Sequence, residues 1–281
     1  MAKRAAKAAV VELTGDMRFV VLHGPEDMLQ RERLRELTAV LEAAHGEVSR
    51  FDIDGSRASL SDVMDEVRGY SLMGGYKLVV VDQAMAGDAD AKGFVSEHRG
   101  ALERYAAAPV DHATLVLRGE TWRPGKLDKA VAKIGAVIKC AELKPAEAQK
   151  WLEQRAEPVH GVKLPSKAAK VLVSRVGTGL QQLDTELAKL AAVAGGEGQA
   201  AVTVEMVESQ VELSSDEKAW VVQNALLEAV RERSSRKALE KVRELVDVSG
   251  QPEVLLLYFA VDLSRKLVVN AQMRRAGAND A

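Results

Sequence analysis

The run Leu78-Val79-Val80-Val81 constrains the fold of this chain more than any other feature. A strand that is apolar at every position must be covered on both faces, as in the centre of a parallel sheet. Four other short apolar runs suit buried strands: Phe19–Leu22, Val48–Ile53, Thr114–Leu117 and Val137–Ile138. Helical patterns separate the runs, at about 26–45, 59–69, 91–107 and 126–134. Strands that alternate with helices predict an α/β domain with a five-stranded parallel sheet.

The chain changes character near Pro145, after which no convincing strand is found. Pro145 and Pro165 each suit the first turn of a helix. An amphipathic segment follows Gly179 and ends near Gly195, with leucines on one face at positions 180, 183, 187 and 190. A further short helix is expected from Thr203 to residue 210. This part of the chain is therefore predicted to be a small all-helical domain.

A third segment begins at residues 214–217, where Ser-Ser-Asp-Glu suits a helix start. Its helices are predicted at about 220–230, 235–248 and 252–275. We therefore expect three domains: an α/β domain at 1–142, a helical lid at 143–211 and a helical collar at 212–281. The first two resemble the AAA+ module, and the third suggests an oligomerising collar.

The turn after the first strand lacks the chemistry of a phosphate-binding loop. A strand that runs through a glycine into a helix often holds phosphate. Here the turn reads Gly24, Pro25, Glu26, Asp27. Pro25 has no N–H to donate, and the two carboxylates would repel a polyphosphate. Neither Gly-Lys-Ser nor Gly-Lys-Thr occurs in the chain, so it has no P-loop. The domain is either a nucleotide-binding fold that does not bind nucleotide in the usual way or a fold with an ordinary turn here.

A second candidate site lies just before the all-apolar strand, at Tyr70, Ser71, Leu72 and Met73, followed by two glycines. If Leu72 and Met73 point outward, they form an apolar anchor suited to a pocket on a partner protein. The alternative, which the residues alone favour slightly, is that both cap the underlying core. Asp82, at the end of this strand, lies where a magnesium-binding carboxylate would be. Because no P-loop accompanies it, a strand-end or turn role is favoured.

Composition excludes several function classes. With 47% hydrophobic residues the chain can build real cores, and a net charge of -2 gives no overall attraction to DNA or an anionic membrane. The single cysteine, Cys140, excludes an internal disulfide and a cysteine zinc module. No spacing suits a metal site or a catalytic set, so no cofactor is expected. The longest apolar stretch, 254–261, is too short to cross a bilayer, and a soluble cytoplasmic protein is the simplest interpretation.

Basic side chains cluster around the start of the second predicted helix of the third domain. They include Arg231, Arg233, Arg236 and Lys237. Acidic residues are interleaved with them, so a solvated helix face is favoured over a dedicated DNA site. These four residues are the candidates for any contact with DNA.

Several motifs in the same order resemble those of the bacterial DNA polymerase III delta subunit. Residues 71–82 (SLMGGYKLVVVD) are similar to its S-L-F-G-x-x-K/R-L-V-V-V stretch, and residues 22–27 (LHGPED) to its L-Y-G-x-(D/E) start. Residues 126–129 (KLDK) and 135–140 (GAVIKC) resemble its K-x-D-K…G-x-V-x-x-C stretch. Residues 179–190 and 203–207 resemble its lid helix and the motif that follows. The matches extend from about residue 19 to residue 210.

This resemblance implies a clamp-loader subunit with an AAA+ fold and no ATPase function. Such a subunit acts in DNA replication: it binds the beta sliding clamp and opens the ring for loading onto primed DNA. It assembles with the ATPase subunits tau/gamma and with delta prime in a hetero-pentamer, which contacts primer-template DNA, and the setting is the nucleoid-associated cytoplasm. By position, the clamp-binding residues are Tyr70, Ser71, Leu72 and Met73.

Two departures from the family pattern stand out. Met73 lies where phenylalanine is usual, and the collar is short. The alternatives are an AAA+ ATPase with an atypical phosphate loop, against which Pro25, Glu26 and Asp27 argue, and a nucleic-acid-binding scaffold. Delta prime itself is disfavoured, because it usually carries a cysteine-rich zinc site.

Overall fold

A computed structural model describes residues 11–70, 75–85, 93–196 and 201–211, and ten single positions from 236 to 272. The chain divides into two compact units, Met1–Glu142 and Leu143–Ala281. The elements of the first unit are β1 (Phe19–His23), α1 (Asp27–His45), β2 (Val48–Asp54), α2 (Leu60–Arg68), β3 (Tyr76–Asp82), α3 (Phe94–Ala107), β4 (Ala113–Gly119), α4 (Lys126–Val131) and β5 (Gly135–Lys139).

The sheet has five parallel strands in the order β2-β3-β4-β1-β5, which confirms the predicted α/β class. The chain steps from β1 to the far edge at β2 and then returns in the opposite direction through β3 and β4 to β5. Because crossovers between parallel strands are right-handed, this reversal places α1 on one face of the sheet and α2, α3 and α4 on the other. The two hydrophobic core clusters of the unit agree with this arrangement. One contains the buried apolar residues of α1, and the other contains those of α2, α3 and α4.

The central strand β3 is buried on both faces, as its apolar run predicts. Leu78 and Val80 pack in the layer of α1, while Val79 and Val81 pack in the layer of α2, α3 and α4. This alternation follows from the period of two in a strand. The carboxyl ends of β1, β3 and β4 consequently lie side by side at one edge of the sheet.

The second unit contains α5 (Pro145–His160), α6 (Ser166–Val176), α7 (Leu180–Gly196) and α8 (Val204–Gln210). Pro145 occupies the start of α5 as predicted, whereas Pro165 lies one position earlier than expected, as the N-cap of α6. The buried side chains of α7 include all four predicted leucines. One parallel β-bridge joins Lys163 to Ala201, so the unit is not purely helical.

An ion-pair cluster joins α5 to α7. The Arg155 guanidinium binds both carboxylate oxygens of Asp184, at 2.6 and 3.0 Å, and His160 Nε2 lies 2.7 Å from Oδ1 of the same group. The predicted boundary between lid and collar at 211/212 stays a prediction, since most of 212–281 lies outside the described residues. Among the residues described, no helix is long and apolar enough to cross a membrane.

Candidate functional site

A cavity of about 510 Å³ opens at the carboxyl ends of β1, β3 and β4. The connections that leave the neighbouring strands β1 and β4 go to opposite faces of the sheet. Such a switch point is where open α/β sheets commonly hold their ligands. The lining includes Gly24, Pro25, Asp27, Gln30, Asp82 and Arg118.

The turn between β1 and α1 already uses its own backbone donors. The N–H of Gly24 donates to the carbonyl of Gly119 at 3.1 Å, and the N–H of Glu26 donates to the carbonyl of Cys140 at 3.2 Å. The Glu26 carboxylate caps α1 by accepting from the N–H of Met28 at 3.3 Å. In a phosphate-binding loop, N–H groups at these positions face the ligand. Here they are bonded within the protein.

Gly24 sits in a position that only glycine fits. Its φ is +126°, and a Cβ placed on it would lie 2.1 Å from the carbonyl oxygen of Cys140. The turn is therefore packed against the end of β5, and its glycine serves close packing of the backbone.

Gln30 fastens this turn to the neighbouring strand. Its buried side-chain amide donates to the carbonyl of Gly24 at 2.8 Å and to the carbonyl of Gly119 at 3.2 Å. A neutral amide in the first turn of α1 thus holds the end of β1 and the end of β4 together. The sequence analysis did not identify Gln30, because no sequence pattern around this glutamine indicates that it links two strand ends.

Arg118 supplies the positive charge of the cavity. Its Nη2 donates to Asp27 at 2.8 Å, and its Nη1 lies 2.7 Å from the carboxylate of Asp82. The other oxygen of Asp27 pairs with Arg31 at 2.6 Å. Arg118 is buried, so a fixed internal cation is bound by the carboxylates of the α1 start and the β3 end.

Two titration shifts follow from burial in this region. Burial raises the pKa of Asp82, and the Arg118 charge offsets only part of that rise. Burial also raises the pKa of the Cys140 thiol to about 11, so it is a structural thiol and not a nucleophile. In the described parts of the chain, no group of three or more His, Cys, Asp or Glu residues is placed to hold a metal ion.

The second candidate site lies on the connection between α2 and β3. Tyr70 is 82% exposed. Ser71, Leu72 and Met73 lie outside the described residues. The Tyr70 ring stacks on the His112 ring, with centroids 4.3 Å apart and planes at 22°. The structure therefore shows the start of the predicted clamp-binding element but not its apolar pair.

Both ends of this connection are fixed. The buried Lys77 side chain donates to the carbonyls of Glu66 at 2.6 Å and Gly69 at 3.2 Å, and it pairs with the Glu66 carboxylate. It thereby satisfies carbonyls at the end of α2. Gly75 adopts a φ of +96°, and a Cβ there would lie 3.0 Å from the carbonyl oxygen of Glu47.

The predicted DNA-proximal residues are described only in part. Arg236 has helical backbone and is exposed, while Arg231, Arg233 and Lys237 lie outside the described residues. The structure thus places Gly24, Pro25 and Asp27 at one cavity, with Glu26 in the same turn as the cap of α1. Of the four basic residues it describes only Arg236.

Comparisons with known proteins find a solved structure with a similar fold. No family model and no curated protein matches the sequence. Among solved structures, the chain is similar to the Bacillus subtilis DNA clamp loader delta protein YqeN, with a TM-score of 0.56 and 19% identity over 93% of this chain and 76% of that one. It also matches the Thermotoga maritima RuvB Holliday junction branch migration motor, with a TM-score of 0.45 and 13% identity over 77% of this chain and 70% of that one. The chain thus shares the fold of a clamp loader delta protein.

Proposed function

We propose that this chain is a non-catalytic, delta-type subunit of a bacterial clamp loader. It would bind the beta sliding clamp and favour the open ring during loading onto primed DNA. The observation that carries the proposal is the pairing of charges within the cavity, where Arg118 binds Asp27 and Asp82. The positive charge of this cavity is the Arg118 side chain, and the N–H groups of its turn are bonded within the protein. Such a cavity suits a partner-binding subunit better than an ATPase.

The contact with the clamp is assigned to Tyr70, Ser71, Leu72 and Met73. Burying two large apolar side chains in a pocket contributes roughly 3–6 kcal/mol before the costs of association. Methionine is flexible and polarizable, so Met73 can fill a pocket shaped for a bulkier side chain. The exposure of Tyr70 supports this assignment, because its side chain is accessible to a partner. The contact of Lys77 with the end of α2 also supports it, because it gives the connection a rigid base.

Ring opening follows from differential binding. A protein that binds the open ring more tightly than the closed ring shifts that equilibrium by the difference in affinity. No ATP hydrolysis by this chain is needed for that step, and no cofactor is assigned to it. Hydrolysis is left to the tau/gamma subunits of the DNA polymerase III holoenzyme.

The proposed partners are tau/gamma and delta prime in a hetero-pentamer, together with primer-template DNA in the nucleoid-associated cytoplasm. Leu257, Val261 and Val268 are exposed apolar residues with helical backbone. In the helix predicted at about 252–275, their spacings of four and seven residues correspond to one face, which suits contact between collar helices. DNA contact is assigned to Arg231, Arg233, Arg236 and Lys237 in the assembled complex.

The direct test is binding to the beta clamp encoded by the same genome, measured by size exclusion and by surface binding. We expect the double variant Leu72→Ala/Met73→Ala to lose most of the affinity. Val159→Ala is the control, because Val159 is also an exposed apolar residue but lies on α5. Equal affinities of the wild type and the double variant would remove the site assignment.

A second measurement separates binding from ring opening. Clamp preloaded on nicked circular DNA is released when its ring opens, so the release rate reports opening by the isolated subunit. We expect the wild-type chain to accelerate release without ATP and the double variant to lose this effect. Binding without accelerated release would contradict ring opening while leaving clamp binding intact.

A further inference from the structure

Tyr70 is an unusual surface residue in this chain. Among the described residues, it is the only phenylalanine, tyrosine or tryptophan with a strongly exposed side chain. Tyrosines at the centre of protein interfaces often carry much of the binding free energy. A free exposed ring would lose conformational entropy when a partner orders it. The question is therefore what fixes this ring before binding.

His112 carries the Tyr70 ring and is itself held at two points. Its Nε2 lies 3.2 Å from the carbonyl oxygen of Arg68, at the end of α2. Its own carbonyl oxygen accepts the N–H of Lys77, in β3, at 3.0 Å. The imidazole is thus bonded to the end of α2, and the backbone of His112 is bonded to β3.

A second histidine–tyrosine stack nearby has different consequences. His45 stacks on Tyr76 with ring centroids 3.9 Å apart and planes at 2°. Tyr76 is buried, and its hydroxyl bonds Arg18 at 2.8 Å and Thr114 at 3.0 Å. Tyr76 therefore has hydrogen bonds of its own to fix it, whereas the exposed Tyr70 ring rests on the His112 ring.

We propose that His112 is a positioning residue for partner binding: it holds the exposed Tyr70 ring in place at the end of α2 before a partner binds. This inference rests on the proposed function and adds a residue that the sequence motif does not contain. An aromatic side chain that is ordered in advance loses less entropy on association, so its burial yields more affinity. His112 would act through Tyr70 without needing to touch the clamp.

The test is a double-mutant cycle on clamp affinity with Tyr70→Ala, His112→Ala and the double variant. A stacked aromatic pair corresponds to roughly a two- to tenfold effect on the binding constant. We expect His112→Ala to weaken binding by that factor and to have no further effect once Tyr70 is alanine, because the two act as one unit. His112→Phe should restore most of the affinity, since it keeps a stacking face.

Two controls isolate positioning from folding. His45→Ala removes the other stacked imidazole and should leave clamp affinity unchanged. His112→Leu keeps apolar volume without an aromatic face and should weaken binding as much as His112→Ala. If His112→Ala also lowers the thermal unfolding midpoint, His112→Phe and His112→Leu are compared instead. Tighter clamp binding by the phenylalanine variant than by the leucine variant supports the stacking role, and equal binding contradicts it.

The outcomes separate this inference from the proposed function. Unchanged affinity of His112→Ala, or additive effects of the two substitutions, would overturn the positioning role if Leu72→Ala/Met73→Ala still loses binding. No binding by any form of the chain, wild type included, would instead contradict the proposed function itself.

Discussion

The guanidinium of Arg118 donates a 2.8 Å hydrogen bond to the carboxylate of Asp27, and so links the end of β4 to the first residue of α1. These residues are 91 positions apart in the chain. In a P-loop protein, a lysine and the phosphates of a nucleotide occupy this corner. Here both charges come from the protein, and Asp82 completes the set from β3.

Arg118→Met is expected to destabilise the α/β unit by about 1–3 kcal/mol, because it leaves Asp82 without its cation and Asp27 with Arg31 alone. The value is below that for a fully buried pair, since Asp27 and Asp82 are partly exposed. Urea unfolding measures the change. The triple variant that also carries Asp27→Asn and Asp82→Asn should recover part of the loss.

Arg50→Met is the matched control for that change. Arg50 pairs with Asp52 at 2.6 Å on the exposed strand β2. Surface pairs of this kind contribute about 0–1 kcal/mol. An equal loss in both variants would contradict a special role for Arg118.

Gly24→Ala is expected to destabilise the unit by at least about 2 kcal/mol, because the new Cβ would meet the Cys140 carbonyl and the backbone is in a left-handed region. Thermal unfolding measures it. Gly100→Ala is the comparison: Gly100 lies in α3, where a Cβ has ordinary contacts, and alanine should be neutral or up to about 1 kcal/mol more stable. Similar effects of the two substitutions would show that the turn is not tightly packed.

Stability should fall as the pH drops below about 6.5, partly through His23. Burial lowers the pKa of His23, and the charge of Lys139 lowers it further. The folded state therefore binds fewer protons than the unfolded state, so this contribution is present above the unfolded pKa and is lost as the pH falls through the folded one.

The measurement is the urea unfolding midpoint of the wild type and of His23→Phe as the pH is lowered from above to below about 6.5. Phenylalanine keeps a ring to stack on Trp122, whose centroid lies 6.1 Å from that of His23, but it does not titrate. The variant should lose less stability on acidification than the wild type. Parallel pH profiles would contradict the assignment.

The isolated chain is expected to show no saturable ATP binding by calorimetry and no thermal stabilisation by ATP with magnesium. The reason is that the N–H groups of Gly24 and Glu26 are bonded within the protein and the cavity is lined by Asp27 and Asp82. A ligand that binds only the folded state must raise the unfolding midpoint. A concentration-dependent rise would favour the ATPase alternative.

The secondary structure of the first unit was predictable because strand and helix periods are local properties of the sequence. All five strands are found, and the observed strands extend one or more residues beyond the apolar runs, as at Tyr76 and Asp82 of β3. The absence of a P-loop was predictable for the same reason, because it depends only on the residue types at 24–27.

The roles of Gln30, Arg118 and His112 were not predictable in this way. Gln30 reaches Gly119, 89 residues away, and its role depends on β1 lying beside β4. Arg118 follows an apolar run and gave one usable signal, a charged residue at the carboxyl end of a buried strand. His112 stacks on Tyr70 only because α2 ends beside the start of β4. Pairings between distant segments determine all three contacts.

The charges already present at this cavity predict that no single substitution would create a phosphate site there. A lysine introduced into the turn would meet the resident cation of Arg118. Removing Arg118 first would expose two carboxylates that repel each other and any phosphate. At least two substitutions made together, one at the turn and one at Arg118, would therefore be needed before a phosphate could bind in this corner.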